Sequence, residues 1–352
     1  MSNKMWFLLF FVLIIFVVSI VISYIRNTNF YYSGPETDHF KNGKFFNNFN
    51  TSDKRKKFYQ VMLWYLKRQH KPWKNIDNQN FDIPPKKILS SNLRVSNIGH
   101  NSFLIQTEGL NILMDPVWSD RASPFSFVGP KRYSQPGIKF EDLPFIDVVW
   151  VSHNHYDHMD LKTLDRLWNK FKPRIITPLG NDTIIRSYNK NIECESYDWY
   201  DKVRISDSVS FNLKPAQHWS SRGLFDHNKA LWSSLEIETS SGNILFLGDS
   251  GYGDGSIFSD YKNLKLAIIP MGAYKPKEIM EYSHISPEKF FQLHKDLLMP
   301  LTIPSHYDVF DLADEEQFDA TKDLEKILAK NLDHNVHVLG IGQFLLLPES
   351  SK

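Results

Sequence analysis

The pattern of apolar and polar positions divides the chain into three parts. The first is an uncharged apolar stretch from Trp6 to Ile25, long enough as a helix to cross a bilayer core of about 30 Å. The second, residues 28–92, is polar and rich in Asn and Lys, with one amphipathic stretch, FYQVMLWYLKRQ, that predicts a helix. In the third, short β-branched apolar runs recur between amphipathic patterns. We therefore expect an anchor at 1–27, a lead-in at 28–92 and a folded domain at 93–352.

The N-terminal stretch predicts a single transmembrane helix. A cleaved signal peptide is the alternative, but the run exceeds the apolar core of about 7 to 15 residues typical of such peptides, and no small-x-small cleavage site follows. Lys4 and the α-amine, set against Arg26, favour a cytoplasmic N-terminus and an exoplasmic catalytic domain, periplasmic in a bacterium. The basic run 54–57 is typical of a solvated surface, with contact to anionic lipid headgroups as the alternative.

Strand and helix patterns alternate through the third part. Strands are predicted for RVSNIG, SFLIQT, NILMD, DVVWVSH, RIITP, SVSFNLKP, SLEIET, NILFLGD, LAIIP and LTIPSH. Helices are predicted for LKTLDRLWNKF, SPEKFFQLHKDL and EEQFDATKDLEKILAKNL. This order predicts an α/β domain with two sheets covered by helices.

Composition narrows the function classes. Lys plus Arg number 41 against 40 Asp plus Glu, so the net charge of +1 provides no global field for a nucleic acid, and we expect no such partner. The single cysteine, Cys194, cannot form an intramolecular disulfide, so the core and any bound metal must stabilise the fold. The 26 Phe and 9 Trp can build a sizeable core and an apolar substrate surface.

The segment from Ser152 to His158, SHNHYDH, carries the strongest chemical signal. It directly follows the apolar strand DVVWV and contains four potential metal ligands. Side chains two apart in an extended strand point the same way, so His153 and His155 can bind one ion, while Asp157 and His158 can face a second. Imidazole and carboxylate groups are the ligands of catalytic zinc, so a metal site is favoured over an unliganded polar turn.

Three further strand endings supply single candidates. VSFNLKPAQH ends at His218, NILFLGD at Asp249 and LTIPSH at His306. Each alone is as compatible with an ordinary turn residue, but their joint occurrence favours a metal centre. A carboxylate such as Asp249 can bridge two cations about 3.5 to 4 Å apart, a separation suited to hydrolysis at a phosphoryl or carbonyl centre.

These motifs, HNHYDH, QHW, GD and SH in this order, resemble those of the metallo-β-lactamase superfamily. Longer segments are similar to the N-acyl-phosphatidylethanolamine phospholipases D, namely DPVWSDRASPFSFVGPKRY, LPFIDVVWVSHNHYDHMD, PAQHWSSRGLFDHNKALWSS, GDSGYGD and IPMGAYKPKEIMEYSHISPE. The similarity runs from about residue 92 to the C-terminus. The lead-in YYSGPETDHF and the apolar stretch depart from the animal enzymes and look more like bacterial members, which leaves the lipid substrate open.

The resemblance implies an αββα sandwich behind the transmembrane helix, with two zinc ions. It assigns His153, His155 and His218 to the first zinc, Asp157, His158 and His306 to the second, and Asp249 as the bridge. It also places His284, in EYSH, near the reacting phosphate, whereas a helix-capping or supporting role is the alternative. His100 is expected to be structural or to support a ligand. Five aromatic residues in the similar loops could meet acyl chains, although core packing is the commoner role: Trp118, Phe125, Phe127, Trp219 and Phe225.

The implied activity is hydrolysis of a phospholipid diester, giving phosphatidic acid and, from N-acyl-phosphatidylethanolamine, an N-acylethanolamine. Asp157 would bind metal and orient the attacking water, and His284 or a water would protonate the leaving group. The expected partners are the phospholipid and the bilayer, with a homodimer as a candidate assembly. Two rivals remain: a hydrolase of a lactone, an amide or a soluble phosphodiester, and a non-catalytic membrane scaffold stabilised by zinc.

Overall fold

A computed structural model describes residues 3–27, 31–49, 58–68, 72–77 and 80–349, so the basic run 54–57 lies outside the described residues. The helices are α1 (Asn3–Asn27), α2 (Phe58–Lys67), α3 (Leu161–Phe171), α4 (Asn181–Tyr188), α5 (Lys277–Met280), α6 (Pro287–Asp296) and α7 (Asp319–Leu328). The strands are β1 (Phe40–Lys41), β2 (Lys44–Phe45), β3 (Leu93–Gly99), β4 (Ser102–Thr107), β5 (Leu110–Met114), β6 (Val148–Trp150), β7 (Arg174–Pro178), β8 (Cys194–Tyr197), β9 (Lys202–Arg204), β10 (Ser210–Lys214), β11 (Ser234–Glu238), β12 (Asn243–Phe246), β13 (Leu264–Pro270), β14 (Leu301–Ser305) and β15 (Phe344–Leu347).

Two mixed sheets form the centre of the domain. The first has seven strands in the order β15-β3-β4-β5-β6-β7-β8, parallel from β5 to β8. The second has six strands in the order β14-β13-β12-β11-β10-β9, parallel from β12 to β14. The strands β1 and β2 pair in a separate hairpin ahead of the domain.

The side chains of both sheets alternate between an inner and an outer core. Along β4, Phe103 and Ile105 belong to the core between the sheets, whereas Leu104 belongs to the outer core. Across the inner core, the rings of Trp150 and Phe211 meet edge to face, with centroids 6.4 Å apart. This packing of one sheet on the other follows from the period-two pattern seen in the sequence.

Helices cover the outer face of each sheet. Leu164 and Leu167 of α3 pack on the first sheet, while Phe290 of α6 and Leu324 of α7 pack on the second. The α3 helix begins after Asp160, whose carboxylate accepts hydrogen bonds from the backbone N–H groups of residues 162 and 163. The αββα order implied by the sequence is therefore confirmed.

The predicted membrane anchor requires correction. The apolar N-terminal stretch forms α1, but no helix within the described residues is both long and apolar enough to cross a membrane. The predictions of a single-pass N-terminal helix, of a membrane location based on it and of an exoplasmic domain behind it were wrong.

Candidate metal centre

The predicted ligands gather at one edge of the sandwich. The β6 strand leads into the segment that carries His153, His155, Asp157 and His158, and β14 ends directly before His306. Asp249 follows β12 by three residues, and β12 and β14 both run parallel to β13. Carboxyl ends of parallel strands share one edge of a sheet, which explains why ligands distant in sequence converge.

One group of potential ligands consists of three histidines and a carboxylate. His155 Nδ1 lies 2.9 Å from His153 Nε2 and 3.2 Å from His218 Nε2. Asp249 Oδ2 lies 3.7 Å from His218 Nε2 and completes the group. These are the residues expected for the first metal, with the bridging carboxylate included.

A second group shares Asp249. Its Oδ2 atom lies 3.2 Å from both His158 Nε2 and His306 Nε2. Asp157 Oδ2 lies 3.4 Å from His158 Nε2 and 3.3 Å from His306 Nε2. Asp249 therefore stands between the two groups, where a bridging ligand would stand.

The residues fit metal ions. Donor atoms about 2.0 to 2.2 Å from a tetrahedral zinc would lie roughly 3.3 to 3.6 Å apart, and most of the separations in the two groups fall near this range. Several of their buried polar atoms also have no hydrogen-bond partner among the described residues, namely His155 Nε2, His158 Nε2, Asp249 Oδ1 and His306 Nε2. Buried polar groups are normally paired, so this concentration of unpaired atoms indicates a ligand-binding centre.

Neighbouring groups orient two of the imidazoles. Asp115, fully buried after β5, lies 2.7 Å from His158 Nδ1 and accepts hydrogen bonds from both the backbone N–H and the hydroxyl of Ser152. The backbone carbonyl of Ser283 lies 2.9 Å from His218 Nδ1. A proton held on Nδ1 by these acceptors leaves Nε2 free to coordinate metal.

Burial sets the protonation of the first group. It lowers the pKa of His153 and His218 well below the ordinary value and that of His155 to about 4. Their imidazoles are therefore neutral at pH 7. A neutral imidazole can bind a cation without first losing a proton.

The second group behaves in the opposite way. Burial opposes the charged imidazole, but the carboxylates of Asp249 and Asp157 outweigh it, raising the pKa of His306 to about 9 and that of His158 well above its ordinary value. The imidazoles of His158 and His306 in turn hold the pKa of both carboxylates well below the ordinary value, against the effect of burial. In the metal-free protein these imidazoles carry protons that a cation would displace.

His284 lies at the mouth of the centre. Its Nδ1 atom is 3.9 Å from Asp249 Oδ2, and its side chain is 14% exposed. Burial lowers its pKa to about 4. The adjacent α6 helix is capped by Ser286, whose hydroxyl accepts from the backbone N–H of Lys289, so His284 does not cap it.

Two residues of the centre were missed or underrated by the sequence analysis. Asp115 was interpreted only as the end of a strand, although a carboxylate at a strand end was the signal used for Asp249. His100, expected to be structural or supporting, places its Nε2 atom 2.9 Å from Asp157 Oδ2 and joins the group of His158 and His306. The centroid of the His100 ring lies 4.1 Å from that of His306, with the two rings tilted by 43°, and burial lowers the pKa of His100 to about 3.

The aromatic candidates separate into two sets. Trp118 donates its indole N–H to the carbonyl of Ile138 and packs on a core, and Trp219 lies 4.2 Å from the His155 ring. Phe125, Phe127 and Phe225 are exposed. The latter three leave apolar surface open to a ligand.

Comparisons with known proteins agree with this architecture. A family model described as Beta-lactamase superfamily domain matches residues 110–307. N-acyl-phosphatidylethanolamine-hydrolyzing phospholipase D 1 of Caenorhabditis elegans is 35% identical over 273 residues, covering 69% of this chain and 76% of that protein. The mitochondrial N-acyl-phosphatidylethanolamine-hydrolyzing phospholipase D of Saccharomyces cerevisiae is 32% identical over 231 residues, covering 62% of this chain and 48% of that protein.

A solved structure supports the fold alone. The isothiocyanate hydrolase from Delia radicum gut bacteria matches with a TM-score of 0.57 and 16% identity, over 72% of this chain and 99% of that chain. The resemblance stated from the sequence is confirmed, as is a metal-dependent hydrolase fold with His and Asp clusters able to bind metal. The chain belongs to the metallo-β-lactamase superfamily.

Proposed function

We propose that this chain is a two-zinc phosphodiesterase that hydrolyses phospholipid diesters, with N-acyl-phosphatidylethanolamine as the substrate to test first. The position of Asp249 carries the proposal. Its Oδ2 atom lies 3.2 Å from Nε2 of both His158 and His306 and 3.7 Å from Nε2 of His218, and one carboxylate shared by two groups of ligands is suited to a pair of cations. Such ions, when bound, would activate water and offset charge on the phosphoryl group. The activity of the two relatives, N-acyl-phosphatidylethanolamine-hydrolyzing phospholipases D, supports the lipid substrate.

The side chains divide the remaining work. Asp157, whose Oδ2 atom lies 2.9 Å from His100 Nε2, orients the attacking water and receives its hydrogen bond. His284 is neutral at pH 7 because burial lowers its pKa to about 4, so it donates its ring N–H to a phosphate oxygen rather than carrying a full charge. The leaving alkoxide then takes its proton from water, because a neutral imidazole that lost its N–H would be left as an anion.

An apolar rim supports a lipid substrate. Phe125, Phe127 and Leu224 are between 55% and 78% exposed, on two loops that both approach Tyr156 of the metal segment. Tyr156 packs against the apolar cluster that includes Ala122 of the first loop, and it donates its hydroxyl to the carbonyl of Arg222 in the second. We propose that the rim accepts acyl chains at a lipid surface while the metal centre holds the phosphate.

The testing experiment compares substrates on one metal-loaded preparation. Phosphatidylcholine vesicles and mixed micelles containing N-acyl-phosphatidylethanolamine are assayed beside bis(p-nitrophenyl) phosphate, a homoserine lactone and a β-lactam, with products identified by mass. We expect phosphatidic acid and N-acylethanolamine from wild type, and a loss of about 100-fold or more in Asp157→Ala and His284→Ala. Asp254→Ala, which changes an exposed carboxylate bound only to Ser256 in the described contacts, is the matched control.

Two outcomes would redirect the proposal. If lipids stay intact while the lactone or β-lactam is hydrolysed, the lipid substrate is wrong and the metal-dependent hydrolase remains. If no ester is hydrolysed by a protein that holds its metals, the scaffold alternative takes its place.

A further inference from the structure

The segment before the sandwich contacts residues that adjoin the metal centre. Residues 31–49, named here the N-terminal strap, lie outside the region matched by the family model and contain the β1–β2 hairpin. Phe40 and Phe45 of the hairpin are buried against Trp199 and Trp232 of the domain. Burial of each such side chain contributes about 1.5 to 3 kcal/mol, enough to hold a short segment in place.

Polar contacts fix the register of the strap. The ring nitrogens of His39 each lie 2.7 Å from a carboxylate, Asp38 on one side and Asp198 of the domain on the other. The ring also stacks on Trp199 at 4.5 Å. Further along the strap, the Phe45 N–H donates to the carbonyl of Asn228, which lies in the loop between His218 and β11.

Asn47, near the C-terminal end of this strap, makes three hydrogen bonds to the domain. Its Nδ2 group donates to the backbone carbonyl of His218 at 3.2 Å and to the hydroxyl of Tyr282 at 2.8 Å. Its Oδ1 atom accepts from the indole N–H of Trp232 at 3.1 Å. Because a carbonyl can only accept and an indole can only donate, the orientation of the amide is unambiguous.

The groups that Asn47 joins carry two parts of the active centre. His218 is a predicted metal ligand, and Tyr282 lies two residues before His284. The two segments are already linked by the bond from Gln217 Nε2 to the Tyr282 carbonyl and by His218 Nδ1 facing the Ser283 carbonyl. Asn47 closes this network from outside the sandwich.

We propose that Asn47 is a positioning residue, which fixes the His218 ligand relative to His284 and makes the strap an integral part of the catalytic unit. A displacement of about 1 Å in a reacting group can lower the rate about 100-fold, so the loss of the one Asn47 amide that joins the His218 and Tyr282 segments can have a large effect on the rate. The kinetic part rests on the proposed hydrolase function. The structural part, the geometry around His218, does not.

The test uses the full chain loaded with Co²⁺ or Zn²⁺. Asn47→Ala removes all three bonds, and Trp232 keeps its bond to the Ala216 carbonyl, so the indole stays paired. Tyr282→Phe removes one partner while keeping the ring. Asn48→Ala is the matched control, since this neighbouring amide is exposed and donates to Asp38 on the strap itself.

We expect Asn47→Ala to bind two ions but to show an altered Co²⁺ d–d absorption spectrum. With whichever ester wild type hydrolyses, kcat should fall about 10 to 100-fold with KM changed less than threefold. Tyr282→Phe should show the same effect in smaller measure, and Asn48→Ala should match wild type. In the His284→Ala background the loss caused by Asn47→Ala should shrink to less than threefold, because the placement of His218 relative to His284 no longer affects the rate once the His284 imidazole is removed.

An unchanged Co²⁺ spectrum together with a wild-type kcat in Asn47→Ala overturns the proposal. So does a loss that stays equally large in the His284→Ala background, which would indicate a merely structural strap. If Asn47→Ala fails to fold, Tyr282→Phe decides by the same two readouts. The spectrum separates this proposal from the proposed function, since it is measured without substrate.

Discussion

At the scale of single residues, Asp249 is the side chain shared by the two groups of potential ligands. Its Oδ2 atom is within 3.7 Å of a nitrogen of His158, His218 and His306. Replacing it with alanine should lower the metal content from about two ions per chain to about one or fewer, and activity by at least about 100-fold. Metal analysis after gel filtration measures the first quantity. Asp254→Ala should keep both ions, and full occupancy in Asp249→Ala would remove the bridging assignment.

Asp115 should act on metal binding without touching the ion. An amide in Asp115→Asn can donate to His158 Nδ1, which would move the imidazole proton to Nε2 and block the coordinating nitrogen. We expect metal affinity to fall about 10 to 100-fold. Competition with a chromogenic chelator measures it. Asp142→Asn, an exposed carboxylate, should be unchanged, and an equal loss there would assign the effect to surface charge instead.

The sequence indicated the potential metal ligands more clearly than the residues that orient them. Asp249 and His306 follow apolar strands at once, so their convergence could be derived from strand direction. The role of Asp115 depends on which imidazole nitrogen it faces, and that of His100 on a backbone φ of 60°, which turns it toward Asp157. Neither relation has a periodic signature along the chain.

At the scale of elements, the metal segment is held by a neighbouring loop. Arg222 donates from Nη1 to the carbonyl of Asn154, between His153 and His155, at 2.7 Å and to that of Met159, directly after His158, at 2.9 Å. Its guanidinium also lies 3.8 Å from the centroid of the Tyr156 ring. The two carbonyls and the ring thus depend on one side chain from outside the segment.

Arg222→Met should therefore destabilise the segment. Leaving buried carbonyls unpaired costs about 1 to 3 kcal/mol, so we expect the free energy of unfolding to fall by about 2 kcal/mol, with metal bound more weakly. Urea unfolding of the metal-free protein measures the first effect. Arg204→Met, at a side chain that is 74% exposed, should change stability by less than about 0.5 kcal/mol. Equal effects in the two variants would contradict the clamp.

Helices and strands were predictable from the sequence where buried apolar residues recur at a regular spacing, and less predictable elsewhere. The strands of the sandwich follow from period-two or continuous apolar runs, as in β4, where Phe103 and Ile105 face inward. The strap has no such period: its buried residues Phe40 and Phe45 flank a tight turn through Asn42 and Gly43, both with positive φ. For the N-terminus, hydropathy alone predicted a membrane anchor that the structure does not support.

At the scale of the whole molecule, the two histidine groups give opposite responses to pH. The pKa of His155 is lowered to about 4 by burial, so below pH 6.5 protons bind preferentially to the unfolded chain and destabilise the fold. The pKa of His306 is raised to about 9 by Asp249 and Asp157, against the effect of burial. That contribution to stability is complete below about pH 6.5 and is lost as the pH rises through about 9.

The metal-free protein should accordingly be most stable near pH 6.5, with a decline below that value and a second decline between about pH 6.5 and 9. Bound metal should remove the loss of stability above about pH 6.5, because a cation would take the place of the protons on His158 and His306 and stay bound as the pH rises. We expect the melting temperature of EDTA-treated protein to fall between pH 7.5 and 9.5, and that of metal-loaded protein to remain level. His306→Gln should reduce the upper decline and leave the part that His158 contributes, whereas His337→Gln, at an exposed position, should keep the decline in full. A metal-free protein whose melting temperature still rises to pH 9.5 would show that His306 is not held protonated by its carboxylates, and that metal meets no proton to displace there.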